Sequence, residues 1–72
     1  MSETKKKINY TVVCVNEFAD RFKISAKDAF AYLYAHQGIA FIKENYDIEH
    51  TLSFEDAVDD LALVCRNNGG EY

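Results

Sequence analysis

Proline is absent from this 72-residue chain, and no apolar run approaches the roughly 18 residues that a membrane-spanning helix needs. The sequence also lacks the continuous apolar segment of a secretory signal, because polar side chains interrupt the stretch after the first lysines. An apolar fraction of 49% with 28% charged residues is typical of a folded globular protein. We therefore expect a cytoplasmic protein without a membrane segment, whose two cysteines stay reduced.

Lysine and arginine are missing from residues 44–65, although seven acids occur there. Phosphate contacts supply much of the affinity for nucleic acid, so this distribution and the net charge of −4 argue against direct DNA or RNA binding. The segment after Ser25 could suggest a helix-turn-helix, but its outward face offers a single cation, Lys27. A basic protein surface fits better as a partner. Alternatively, these acids only complement helix N-termini and keep the protein in solution.

Apolar residues recur at helical spacing through most of the chain. They predict a first helix from about residue 7 to residue 22, with an inward face formed by Ile8, Val12, Val15, Ala19 and Phe22. The β-branched residues in this segment leave a strand as the alternative. Ser25 and Ser53 each stand three residues before an acid and directly after an apolar residue, a pattern that indicates two helix N-caps with hydrophobic staples.

The two caps divide the rest of the chain into short helices. We predict a second helix from Ser25 to about Gln37, a third over 39–46 and a fourth from Phe54 to about Arg66, with 46–51 as a link. Gly38 is expected to end the second helix in the left-handed conformation. The sequence therefore predicts an all-α fold, a compact bundle of three to four short helices. It forms a single domain over 1–72, with flexible ends at 1–6 and 67–72.

Recognisable catalytic and metal-binding motifs are absent. The two cysteines, Cys14 and Cys65, and the two histidines, His36 and His50, lack the paired spacing of zinc ligands. Nothing in the sequence supports Cys14 as a nucleophile activated by a histidine. Four short helices also leave little volume for a water-excluding active site. We expect no enzyme activity, no cofactor and no metal, and we expect both thiols to pack as small apolar groups.

Aromatic residues are in surplus, since five phenylalanines and five tyrosines exceed what one small core needs. Surface rings favour protein contacts, so we combine candidate rings with nearby acids into one predicted partner-binding set. Its members are Tyr32, Tyr34, Asp47, Glu49, His50, Phe54, Glu55, Asp56 and Asp59. For His50 two interpretations stay open: a partner contact, or a ring N–H bonded to a carbonyl at the end of the third helix. Tyr46 is expected to be a core ring with its hydroxyl at the edge.

Several short motifs between about Tyr10 and Leu63 resemble, in order and spacing, those of a known family. After an amphipathic first helix they are Ser25, Ala29-Phe30, Leu33, Gly38-Ile39, Phe41-Ile42, Glu44-Asn45-Tyr46-Asp47, His50-Thr51, Val58 and Asp60-Leu61. The chain resembles a small, uncharacterised bacterial family of all-helical proteins of about this length. These proteins form a domain of unknown function that is often encoded beside an ADP-ribosyltransferase-like toxin.

The resemblance implies a non-catalytic protein–protein interaction module, an antitoxin that binds and masks the toxin. Such an enzyme must bind the two phosphates of NAD, so its cleft should be cationic, and an acidic helical surface could occupy or flank it. The alternative is a homo-oligomeric structural or adaptor domain, in which a homodimer completes the small core.

Overall fold

In the computed structural model, which describes residues 3–71, helices account for most of the chain. The described part contains α1 (Glu3–Phe22), α2 (Ala26–Ala35), α3 (Gly38–Glu44), α4 (Tyr46–Glu49) and α5 (Phe54–Asn67). Because no strand occurs between residues 3 and 71, the predicted all-α bundle is confirmed and the strand alternative for the first segment is wrong.

Serine caps fix the starts of α2 and α5, as predicted. The Ser25 hydroxyl accepts a hydrogen bond from the Asp28 N–H at 3.0 Å, and the Ser53 hydroxyl accepts one from the Asp56 N–H at 3.1 Å. Each bond satisfies one of the N–H groups that a helix start leaves without an intrahelical partner. The two helix starts are therefore nearly identical in geometry.

The turn between α2 and α3 differs from the prediction for Gly38. The positive φ, 71°, belongs to Gln37, and Gly38 is the first residue of α3. A Cβ at Gly38 would lie 2.7 Å from Leu33 Cδ2 and 3.2 Å from Cys65 Sγ. This position requires glycine because α2, α3 and α5 pack closely there, not because of its backbone angle.

The bounds of the other helices also differ from the expected ones. α1 already begins at Glu3, so residues 3–6, which were predicted to be a loose arm, are helical. The predicted third helix is interrupted at Asn45, whose side-chain amide donates to the Phe41 carbonyl at 3.0 Å and so competes with a continuous helix. Residues 1, 2 and 72 lie outside the described range, and the flexibility of 1–6 and 67–72 stays a prediction.

The core lies where α1, α2, α3 and α5 meet. Its largest fully buried side chains are Phe18, Leu33, Ile42, Leu61, Val58, Cys14 and Cys65. Both cysteines are free and buried in this cluster, as predicted.

The inward face of α1 is rotated from the predicted one. Val15 and Ala19 are buried as expected, but Ile8 is 56% exposed and Val12 is 53% exposed. At 1.5 Å per residue α1 is about 30 Å long, twice the length of α2. The bundle therefore leaves one side of the first half of α1 uncovered.

Candidate functional site

Acidic side chains gather where the second half of α1 meets the first turns of α5. We call this the acidic surface, and it consists of Glu17, Asp20, Phe54, Glu55, Asp56 and Asp59, all of them exposed. Four of these residues, together with Arg21, border one shallow depression of about 300 Å³. The four members from α5 were predicted as partner contacts, whereas the two acids from α1, Glu17 and Asp20, were not. The predicted Asp47 is exposed on α4.

Arg21 reduces the net negative charge of the acidic surface. Its Nη1 lies 2.6 Å from Asp59 Oδ1, and its Nη2 donates to the Glu55 backbone carbonyl at 3.0 Å. The two side chains of the ion pair are 32% and 61% exposed, so solvent screens it and it contributes at most about 1 kcal/mol to stability. Asp59 therefore helps to hold α5 against α1 and offers a partner less charge than was expected.

Stacked rings hold Phe54 and His50 in place. The Tyr10 ring stacks on Phe54 with centroids 5.8 Å apart and meets Tyr46 edge-on at 5.5 Å. His50 lies parallel to the Tyr46 ring at 4.5 Å, and its Nδ1–H donates to the Tyr46 carbonyl at 2.7 Å. This bond agrees with the second interpretation of His50, in which a ring N–H binds a backbone carbonyl. The acceptor lies in the first turn of α4. Phe54 remains 40% exposed, although its ring is oriented by Tyr10.

Glu49 requires a correction, because the structure buries it. The side chain is 4% exposed, and Oε1 makes no hydrogen bond to any described residue. Burial, followed by a hydrogen bond to Asp60 and its charge, raises the pKa of Glu49 from 4.5 to about 7. The hydroxyl of Tyr10 donates to the Glu49 backbone carbonyl at 2.8 Å. Glu49 was expected to offer its charge to a partner, but its burial prevents this.

The two tyrosines that were predicted as partner contacts lie in different environments. Tyr32 is half-buried, and its ring packs against Phe18 at 5.7 Å and against His36 at 4.7 Å. Tyr34 is 70% exposed and stacks on Phe30 at 6.1 Å. Neither tyrosine borders the depression in the acidic surface, so the predicted set divides between separate parts of the molecule.

An apolar groove was missed by the sequence analysis. It runs between the first half of α1 and the helices α2 and α3, with a volume of about 570 Å³. The residues that line this groove are Thr4, Lys7, Ile8, Thr11, Val12, Phe30, Tyr34, Ile39 and Lys43. Apolar pairs four residues apart on α1 and on α2 were visible in the sequence. Periodicity predicts a face, however, and does not tell whether another helix covers it.

The two thiols are poorly suited to nucleophilic chemistry. Burial raises the pKa of Cys14 to about 11, and it also raises the pKa of Cys65. Since the thiolate is the reactive form, both groups stay protonated and unreactive at neutral pH.

The described residues contain neither a cluster of metal ligands nor a helix of membrane-spanning character. Among residues 3–71 no three side chains of His, Cys, Asp or Glu are placed to hold a metal ion together. None of the helices in that range combines the length and apolar character needed to cross a bilayer.

Comparison with known proteins gives a match to one family model. The model is described as a protein of unknown function (DUF3791), and it matches residues 9–68, from the first half of α1 through the end of α5. Neither a curated protein nor a solved structure matches the chain.

Proposed function

We propose that this chain, which belongs to the DUF3791 family of proteins of unknown function, is a non-catalytic module that binds another protein. The observation that carries the proposal is the acidic surface, where acids from α1 and α5 border one depression together with Phe54, which is 40% exposed. Clustered charge of one sign favours a partner of the opposite sign, since complementary potentials raise the association rate and disfavour wrong partners. The partner should therefore present a basic surface.

Phe54 supplies the apolar contact that charge alone does not provide. A few aromatic side chains dominate the binding energy of most interfaces, and the gain is largest when the ring is already ordered. Tyr10 stacks on Phe54 and restricts its motion before any partner binds. The proposed contact thus combines charge attraction from the acids with one oriented ring.

The partner that we propose is an ADP-ribosyltransferase-like toxin, which the chain would neutralise in the bacterial cytoplasm. This part of the proposal rests on the resemblance to a family that is often encoded beside such a toxin. The physical support is charge complementarity: a cleft that binds the two phosphates of NAD is cationic, and the acidic surface can cover it. Masking requires binding alone, which is consistent with a chain whose thiols are buried and protonated.

A matched pair of charge reversals tests the acidic surface. Asp56 and Asp28 are both exposed, and both stand three residues after a serine cap with the same hydrogen bond. Asp56→Lys and Asp28→Lys should therefore weaken their helix starts equally. Binding to the product of an adjacent ADP-ribosyltransferase-like gene, measured by calorimetry, should weaken about tenfold for Asp56→Lys, roughly 1.4 kcal/mol. The affinity of Asp28→Lys should stay close to that of the unmodified protein.

The apolar anchor is tested on the same helix. Phe54→Ala should weaken binding to that product more than Leu63→Ala, although Leu63 is the more exposed of the two at 52%. Equal affinities for Asp56→Lys and Asp28→Lys, with both proteins folded by circular dichroism, would contradict the role of the acidic surface. A gene product that forms no complex with the unmodified chain would refute the toxin as partner.

A further inference from the structure

Two rows of apolar side chains face each other across the apolar groove. Ile8 and Val12 form the row on α1, while Phe30 and Tyr34 form the row on α2. The two rings of the second row stack at 6.1 Å with an angle of 12° between their planes, which makes that wall flat. Ile39 of α3, which is only 6% exposed, also lines the groove.

The walls of the apolar groove are open to solvent to an unusual degree for such large side chains. Ile8, Val12, Phe30 and Tyr34 are exposed by 56%, 53%, 48% and 70%. Scattered single apolar residues are common on protein surfaces, whereas contiguous ones mark binding sites. In each row the two residues are four positions apart, which is about 6 Å along a helix axis. The lining residues of α1 extend further, from Thr4 to Val12, which is about 12 Å, so an apolar stripe of about two helical turns fits along the groove.

The charged residues at the groove have one sign. Lys7 and Lys43 are among its lining residues, and no acid is among them. These two cations come from α1 and α3, so they flank the apolar rows from different helices. The Lys7 Nζ lies 5.9 Å from the centroid of the Tyr46 ring, so of the two lysines Lys43 carries the charge contact with an occupant in this arrangement and Lys7 adds to the positive potential beside it. Acidic flanks are therefore complementary, and basic flanks are repelled.

We propose that the apolar groove binds an amphipathic helix of another protein, with apolar residues at positions i, i+3 or i+4, and i+7, and with acidic residues beside them. This helix-in-groove mode uses the apolar rows for affinity and the two lysines for orientation. The occupant differs in charge from the basic partner of the acidic surface. It is therefore a second ligand, not another part of the first.

A second copy of this chain fits the groove less well. A symmetric contact places the same patch on both protomers, so Lys7 and Lys43 would face lysines of the other copy. A head-to-tail contact, with the acidic surface of one copy in the groove of the next, would not close on itself unless the rotation forms a ring. Charge disfavours the symmetric contact, and the need for closure disfavours the head-to-tail contact, so a different protein is favoured as the occupant.

The groove and the acidic surface lie on opposite sides of α1. Ile8 and Glu17 are nine positions apart, which is about 2.5 helical turns. A substitution in one surface can therefore be made without touching the other. The groove can be tested independently of the proposed function.

The test uses designed helical peptides with a fluorescent label. The acidic peptide carries leucines at i, i+3 and i+7 with glutamates beside them, and the basic peptide has lysine in place of each glutamate. Fluorescence anisotropy should show that the unmodified chain binds the acidic peptide at least tenfold more tightly than the basic one. Val12→Asp should weaken binding of the acidic peptide at least tenfold. Val13→Asp is the matched control, because Val13 is 37% exposed but does not line the groove.

Two further variants test the proposal if Val12→Asp fails to fold. Tyr34→Ala should also weaken binding, and because Tyr34 is 70% exposed its removal should leave the bundle intact. Lys43→Glu should reduce the preference for the acidic peptide, whereas Lys27→Glu, an exposed lysine outside the groove, should leave it unchanged. Asp56→Lys should bind the peptide normally, which separates this result from the test of the acidic surface.

Four outcomes would overturn the proposal. One is equal binding of the two peptides, and another is an equal loss of binding in Val12→Asp and Val13→Asp. A third is a dimer, detected by light scattering, that Val12→Asp converts to a monomer, because the groove would then be covered by a second copy. The last is binding to phosphatidylcholine–phosphatidylserine vesicles through Val12 and Tyr34 without binding to the acidic peptide, which would identify a membrane contact.

Discussion

Replacing the buried acid with its amide, Glu49→Gln, should change how the stability of the protein depends on pH. Burial and the neighbouring carboxyl group of Asp60 raise the pKa of Glu49, which favours the protonated form of this side chain. Loss of that proton leaves a charge on a side chain that is 4% exposed and beside a second carboxylate. Glutamine has nearly the same shape, stays neutral and can still donate a hydrogen bond to Asp60.

The size of the effect follows from the raised pKa of Glu49, which is about 7 in the folded chain against 4.5 for an ordinary glutamate. A folded pKa above the unfolded one means that the folded state binds the proton more tightly. The resulting stabilisation is full below pH 4.5 and is lost as the pH rises through 7. At about 1.4 kcal/mol per pH unit, the loss is at most about 3.5 kcal/mol. A small domain has a total stability of only about 5 kcal/mol, so this loss is large.

Urea denaturation at pH 5 and pH 8.5 measures the effect. The free energy of unfolding of Glu49→Gln, relative to that of the unmodified chain, should rise by about 2 to 3 kcal/mol between the two pH values. His36 and His50 are present in both proteins, so their contributions cancel in this difference. Glu44→Gln, which removes an exposed acid nearby, should show no such rise.

A difference between Glu49→Gln and the unmodified chain that stays constant from pH 5 to pH 8.5 would refute this reasoning. So would a native protein that becomes more stable over that range while Glu49→Gln does not. Either result would mean that Glu49 is charged at little cost in the folded state, for example by opening of α4 to solvent.

Two other predictions concern the core. Gly38→Ala should lower the free energy of unfolding by about 1 to 3 kcal/mol in urea denaturation, because its Cβ would lie 2.7 Å from Leu33 Cδ2. Unchanged stability would show that α3 can move away from α2, and Ala31→Gly, at an exposed helical site, gives the scale of an ordinary glycine–alanine difference. Cys14 and Cys65 should react with a thiol reagent only on unfolding, since both are buried and protonated. Rapid labelling of the native protein, at the rate seen in urea, would contradict this.

Local signals predicted the secondary structure well, because they depend on neighbouring residues. Ser25 and Ser53 cap α2 and α5 as expected, since the capping pattern involves only the next three residues. A glycine was correctly expected to be needed at position 38, but the reason, a left-handed backbone conformation, was wrong. Its role depends on contacts with Leu33 and Cys65, and distant contacts of this kind are not encoded in local spacing.

Predicting the candidate site required knowing which helix faces become covered. Glu49 was expected outside because acids are rarely buried, yet α4 turns it toward Asp60 on α5. Ile8 and Val12 were expected inside because they continue the apolar stripe of α1, but the short neighbouring helices do not cover that side. The exposed acids of α5, by contrast, were predictable, since they alternate with its buried stripe.

The apolar groove and the acidic surface lie on opposite sides of α1, and this placement fixes the distance between two proteins bound to them. The bundle measures 35 Å in its long dimension but only 22 and 20 Å across. Two proteins bound at once, one on each side of that helix, would be held roughly one bundle width apart. Because helices without a long linker connect the two contacts, the span between those proteins would be short and nearly invariant, as in a rigid spacer.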